Sequence, residues 1–148
     1  AHLVGAHDFN KANRRLHQSL IISCISSFLI ALLVALSGAH LMTFFTDNPE
    51  VIQIGAACLW CDVVLQPFKA ANIVITSSLR AAGDSSFPAI VGSGMMWTLG
   101  VGSALFLAFV LDLGIIGLWL GMACDEFYRS IVNYIRWRKG RWKTLGVM

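Results

Sequence analysis

Apolar residues fill this chain in four blocks, each closed by a short polar break. Residues 8–15, D-F-N-K-A-N-R-R, are polar and basic. Leu16–Phe45 then runs without Asp, Glu, Lys or Arg. At 1.5 Å per residue it is long enough to cross a hydrocarbon core of about 30 Å. T-D-N-P-E (Thr46–Glu50) interrupts it. Thr46 or Asp47 is placed to cap the next helix, and Pro49 suits a first helical position. A second block extends from about Val51 to Arg80, and A-A-G-D-S-S-F links it to a third, from about Pro88 to Leu111. The third is rich in small residues (Gly92, Ser93, Gly94, Gly100, Gly102, Ser103, Ala104) that permit close helix contact in a membrane. D-L-G (Asp112–Gly114) turns the chain into a fourth block, from about Ile115 to Ile135, and the tail R-W-R-K-G-R-W-K is basic. The pattern predicts an all-α integral membrane protein with four transmembrane helices. They lie at about residues 10–45, 49–80, 85–111 and 115–139, within one membrane domain spanning 1–148.

The second block differs from the others in carrying a row of polar groups. At about 100° per residue, Asp62, Gln66, Lys69, Ile73, Thr76 and Arg80 fall on one narrow stripe, flanked by Asn72 and Ser77. Charge at bilayer depth is costly and faces an interior or a water-filled cavity, so this stripe is expected to face away from lipid. Pro67 removes a backbone donor inside the stripe and is expected to kink the helix. Gly83, Asp84, Ser85 and Pro88 are stop-and-turn residues.

Composition and charge sharpen this picture. The chain is 57% hydrophobic and 13% charged, against about 25% charged in an average soluble domain. No secretory signal is visible at the start, which opens on Ala and reads as processed or as a fragment. Four spans put both ends on one side. That side then holds Lys11, Arg14, Arg15, Arg80, Arg136, Arg138, Lys139, Arg141 and Lys143, nine of the eleven basic residues. The opposite side holds Asp47, Glu50 and Asp112 and no Lys or Arg. The positive-inside rule makes both termini and the 80–88 link cytoplasmic, with Trp137 and Trp142 as interface anchors.

The fourth block holds Asp125, Glu126 and Arg129 near its middle, paired at i,i+4 and i,i+3, and Glu126, Ser130 and Asn133 form a second polar stripe. This intramembrane charge network reads either as a cation or proton relay or as a self-neutralised device that orients the helix. Lys69 reads either as a titratable group in a transport cavity or as a structural partner of Asp62. Gln66, Asn72 and Thr76 line the same cavity or bond between helices.

Other chemistry is thin. Cys58 and Cys61 have CxxC spacing, yet they sit inside a membrane helix, where two sulfurs at i,i+3 do not easily reach disulfide geometry. The four cysteines lie in apolar surroundings and read as small buried hydrophobes. His17 and His40 lie near opposite ends of the first block and are not paired haem ligands. No nucleophile–base constellation or phosphate loop appears, so no catalytic residue, cofactor or metal is expected, and the basic tail is too close to the membrane for nucleic acid.

Several stretches, in order, resemble the C-terminal part of the multidrug and toxic compound extrusion (MATE) family. They are L-V-G-A-H-D-F-N-K-A, F-F-T-D-N-P-E-V-I, Q-P-F-K-A-A-N-I-V-I-T-S-S-L-R-A-A-G-D-S-S-F-P, G-I-I-G-L-W-L-G-M-A-C-D-E-F-Y-R and R-W-R-K-G-R-W. The third matches the family's most recognisable segment, with Arg80, Gly83 and Asp84 as its cytoplasmic helix-end motif. The resemblance implies a fold of twelve membrane helices in two six-helix lobes, of which these four would be the last. It also implies exchange of organic, often cationic compounds for protons or sodium ions across the plasma (bacterial inner) membrane. The family places a polar site on the tenth helix, where some members carry a carboxylate and this chain has Lys69. That favours the proton as coupling ion. The transport cavity is then expected at Asp62, Gln66, Lys69, Asn72 and Thr76. Ala82 and Ser85 are mild departures from the family pattern.

The family's cavity lies between lobes, so the missing N-terminal lobe or another copy of this chain is needed to enclose small organic substrates. The alternatives are a small four-helix dimeric drug exporter and a membrane thiol oxidoreductase using Cys58 and Cys61. The first needs an acid in the first helix, which Leu16–Phe45 lacks, and the second needs thiols at the outer surface.

Overall fold

The computed structural model describes residues 8–145, and those residues form an all-helical bundle. The helices are α1 (Phe9–Leu36), α2 (Gly38–Met42), α3 (Pro49–Ala81), α4 (Ser86–Val110), α5 (Gly114–Arg138) and α6 (Trp142–Leu145). Among the described residues, α1, α3 and α4 are long and apolar enough to cross a membrane. Helix α5 has 25 residues, about 37 Å of length, but Asp125, Glu126 and Arg129 in its middle set it apart from that apolar class. The Leu3–His7 part of the first family-like stretch lies outside the described residues.

Local chemistry accounts for the boundaries. Asp8 caps α1 by accepting from the Lys11 N–H at 3.2 Å. The first helix stops at Leu36 rather than continuing to residue 45, because Ser37 leaves helical geometry (φ −92°, ψ 1°). A separate short α2 follows, with Gly38 buried so closely on Leu59 that a Cβ there would lie 3.0 Å from Leu59 Cδ1. The cap of α3 is Asn48, not Thr46 or Asp47: its Oδ1 accepts from the Glu50 N–H at 3.0 Å, and Pro49 follows at the first position. Helix α3 continues through Pro67.

The end of α3 is a Schellman motif. The Asp84 N–H bonds the Leu79 carbonyl at 2.9 Å and the Gly83 N–H bonds the Arg80 carbonyl at 3.0 Å. Gly83 takes φ +89°, which a side chain would resist. The L-R-A-A-G-D run is thus a helix stop written into the backbone.

Helix α3 is the axis of the packing, with α1 on one side and α5 on the other, and α4 packs chiefly on α5. One apolar core gathers Leu16 of α1, Ile75 and Leu79 of α3, Ala82, and Trp137 and Trp142 around the end of α5. The two tryptophans are not interface anchors. They are 4% and 1% exposed, stacked at 4.3 Å, and Trp142 Nε1 donates to the Trp137 carbonyl at 2.8 Å. The Gly140 turn (φ +68°) folds α6 back onto α5 and removes both rings from the surface.

Candidate functional site

Two faces of α5 carry its polar residues. Glu126, Ser130 and Asn133 recur at helical spacing, and Asn72 and Thr76 of α3 lie one turn apart opposite them. Asn72 Nδ2 donates to Glu126 Oε2 at 2.7 Å. Asn133 Nδ2 donates to Asn72 Oδ1 at 3.0 Å and lies 3.2 Å from Thr76 Oγ1. The Thr76 hydroxyl donates to Asn72 Oδ1 at 3.2 Å. Asn133 is 1% exposed and Asn72 7%. Buried polar groups are stable only when hydrogen-bonded, so this joint holds α3 and α5 in one rotational setting.

The other face meets α4 through small residues. A Cβ at Gly117 would lie 2.6 Å from the Ala108 nitrogen, and one at Gly121 would run into the Ala104 backbone. The Ser103 hydroxyl lies 3.2 Å from the Gly121 carbonyl and also donates to the Leu99 carbonyl of its own helix. Of two π-helical stretches in α4, Met96–Val101 precedes this contact and Phe106–Val110 contains Ala108. Beside the contact, α3, α4 and α5 line an open cavity of about 530 Å³. Lys69, Asp125, Glu126 and Arg129 contribute its polar wall, and Met96, Leu105, Leu118 and Met122 much of its apolar wall. Met96 and Gly100 reach it from the first π-helical stretch, a feature common at functional sites.

The charges at this cavity are unevenly paired. Arg129 forms an ion pair with Asp125 and lies 3.8 Å from Glu126. Asp125 Oδ1 and Arg129 Nε are buried without a hydrogen-bond partner. Lys69 is exposed on the cavity side and has no ion pair among the described residues. Lys69 does not pair with Asp62, which accepts from Gln66 Nε2 at 2.9 Å. An apolar pocket with one uncommitted cation and a half-satisfied carboxylate can take an organic molecule and move a proton.

Of the five residues expected at a transport cavity, Lys69 lines this one. Asn72 and Thr76 are turned onto α5 and bond between helices, and Asp62 and Gln66 bond to each other within α3. The stripe splits because the cavity, on the α4 side, and the α3–α5 seam claim different parts of it. Asp125, Glu126 and Arg129 come together as one cluster.

At the helix ends, Asp84 is 4% exposed. It receives Arg136 Nε at 2.7 Å and Nη2 at 3.3 Å. Arg80 stays exposed and Gly83 makes the turn. Sequence reading missed the Asp84 partner, because Arg136 was indistinguishable from its basic neighbours. It also missed Tyr134, whose hydroxyl lies 3.0 Å from His17 Nε2, and Asn13, which receives Trp137 Nε1 at 3.2 Å. Cys58 and Cys61 are free thiols inside α3.

A family model described as MatE matches residues 1–106. The chain is 30% identical over 144 residues to the uncharacterized transporter YisQ of Bacillus subtilis, covering 97% of this chain and 32% of the relative. It is 25% identical over 133 residues to the probable multidrug resistance protein NorM of Thermotoga maritima, covering 90% and 29%. It is 30% identical over 140 residues to the multidrug and toxin extrusion protein 2 of Oryctolagus cuniculus, covering 95% and 23%. The chain therefore spans a third or less of the length of these relatives. No solved structure matches.

Proposed function

The chain belongs to the MATE family, a multi-pass membrane transporter family, and on that premise we propose that it forms part of a secondary active multidrug exporter rather than an enzyme. The exporter moves small organic, often cationic compounds outward in exchange for a cation, and the proton serves better than sodium. The observation that carries this reading is that Lys69 shares one 530 Å³ cavity with Asp125, Glu126 and Arg129. At bilayer depth a net charge is costly and protonation is the usual escape. The Lys69 ammonium repels a sodium ion that would need the same wall. In this reading Lys69 sets the protonation of the neighbouring carboxylates as substrate enters and leaves.

The reading has structural consequences. Helix α5 acts as the fourth span, its charges turned to the cavity and to α3 instead of lipid. Both termini face the cytoplasm of a bacterial inner membrane, as the basic residues gathered at one end support. The cavity's open side is closed by the missing N-terminal lobe or by another copy.

The test is transport by the full-length protein in vesicles. Lys69→Ala lowers export at least about tenfold, matching about 1.4 kcal/mol of lost coupling, while membrane insertion is unchanged. An imposed pH gradient drives export and a sodium gradient does not. Normal export by the variant, or export driven by sodium alone, would overturn the role given to Lys69.

A further inference from the structure

A second cavity, of about 380 Å³, lies where the C-terminal end of α5 meets the start of α4. It is lined by Phe87, Val132, Ile135, Arg136, Lys139 and Arg141. Its two halves differ in chemistry. Val132 and Ile135 form an apolar side, and Ile135 is 47% exposed. Arg136, Lys139 and Arg141 form a basic rim.

The rim is held in place. Arg136 is clamped by the two oxygens of Asp84, and its guanidinium lies 4.5 Å from the centre of the Phe87 ring. Asp84 offsets one of the three positive charges, and among the described residues no carboxylate lines the cavity. Lys139 and Arg141 are exposed, have no ion pair among the described residues, and flank Gly140. That turn is fixed by the Gly140 N–H on the Trp137 carbonyl at 3.0 Å and by the buried stack of Trp137 on Trp142. About two uncompensated positive charges therefore sit over an apolar wall at the basic end of a membrane bundle.

We propose that this cavity binds the phosphate headgroup of an anionic phospholipid from the leaflet at the basic end of the bundle. Lys139 and Arg141 take the phosphate oxygens, Arg136 adds its remaining N–H groups, and the first acyl carbons lie on Val132 and Ile135. Basic pockets between membrane helices suit such headgroups. The apolar wall favours a lipid over free phosphate, which would gain nothing from Ile135.

The experiment is native mass spectrometry of the full-length protein extracted from phosphatidylcholine vesicles with and without a minor fraction of phosphatidylglycerol. The wild type retains phosphatidylglycerol in preference to phosphatidylcholine. The pair Lys139→Gln and Arg141→Gln weakens that retention about 30-fold, from two lost charges near the membrane surface. Arg14→Gln with Arg15→Gln, which removes the same charge from the basic end of α1, leaves it unchanged, and so does the charge-keeping Lys139→Arg. Excess inorganic phosphate does not displace the lipid. The proposal is overturned by any of four results: no preference in the wild type, equal loss in both neutral pairs, loss in Lys139→Arg as complete as in the neutral pair, or full displacement by inorganic phosphate.

Discussion

On α5, Asn133 faces a closed seam with α3, whereas Asp125 and Arg129, about a turn away, face an open cavity beside α4. The seam is closed: Asn72, Thr76 and Asn133 exchange hydrogen bonds among themselves, and of their buried side-chain atoms Asn133 Oδ1 is left without a partner. The cavity side keeps Asp125 Oδ1 and Arg129 Nε without partners and leaves Lys69 uncommitted. Glu126 belongs to both, with Oε2 on Asn72 and Oε1 3.8 Å from Arg129. The difference teaches how one helix uses polar residues for two ends. Groups that a neighbour satisfies set the geometry of the bundle. Groups left without a full set of partners beside the cavity carry no such constraint, and Glu126 is where the two connect.

The largest expected effect lies at the ion pair that ties the end of α3 to α5. Asp84→Ala leaves Arg136 without its clamp, and removing one member of a buried ion pair costs about 3 kcal/mol. Chemical denaturation in detergent measures it, and a loss no larger than that of an exposed surface substitution would show that the clamp is dispensable. Next comes Gly121→Leu, whose side chain would collide with Ala104 and push α4 from α5. Overpacking of this kind costs about 2 kcal/mol, and the cavity changes shape with it. An unchanged unfolding midpoint would mean that α4 is not set by this contact. Asn133→Leu follows, at about 1–2 kcal/mol for stranding Asn72 and Thr76. A double-mutant cycle with Thr76→Val reads the coupling within the seam, and strict additivity would deny that it is a network.

Lys69→Ala should change stability least, within about 0.5 kcal/mol, since no partner is lost, while lowering export as described. The contrast between seam and cavity would fail if Lys69→Ala destabilised as much as Asn133→Leu, or if Asn133→Leu changed the pH dependence of transport while leaving stability intact.

Much of the architecture follows from short-range rules. Pro49 after Asn48, and Leu79 to Asp84 around Gly83, define the two ends of α3 almost without reference to the rest of the chain. The i,i+4 pairing of Asp125 with Arg129 needs only a helix. Where the reading went astray, a neighbouring element had intervened. The first helix ends early at Ser37, just before Gly38 packs against Leu59. The two tail tryptophans looked like interface residues until a glycine turn stacked them inside.

By itself, then, the sequence determined the long helical blocks, the breaks near 46–50, 82–85 and 112–114, the gathering of basic residues at one end, and the presence of charge inside α3 and α5. Each of these depends on residue type, local propensity and a period of about 3.6. Only the tertiary structure decided that Lys69 opens onto the cavity while Asn72 and Thr76 lock onto Asn133, and that Arg136 is the basic residue that clamps Asp84. Those outcomes depend on how far each helix is rotated about its axis and on which neighbour comes within about 3 Å of a donor. That rotation is set by contacts such as Gly117 on Ala108 and Gly121 on Ala104, between residues distant in the chain. A helical period places residues on a face, but it carries no information about which helix that face will meet.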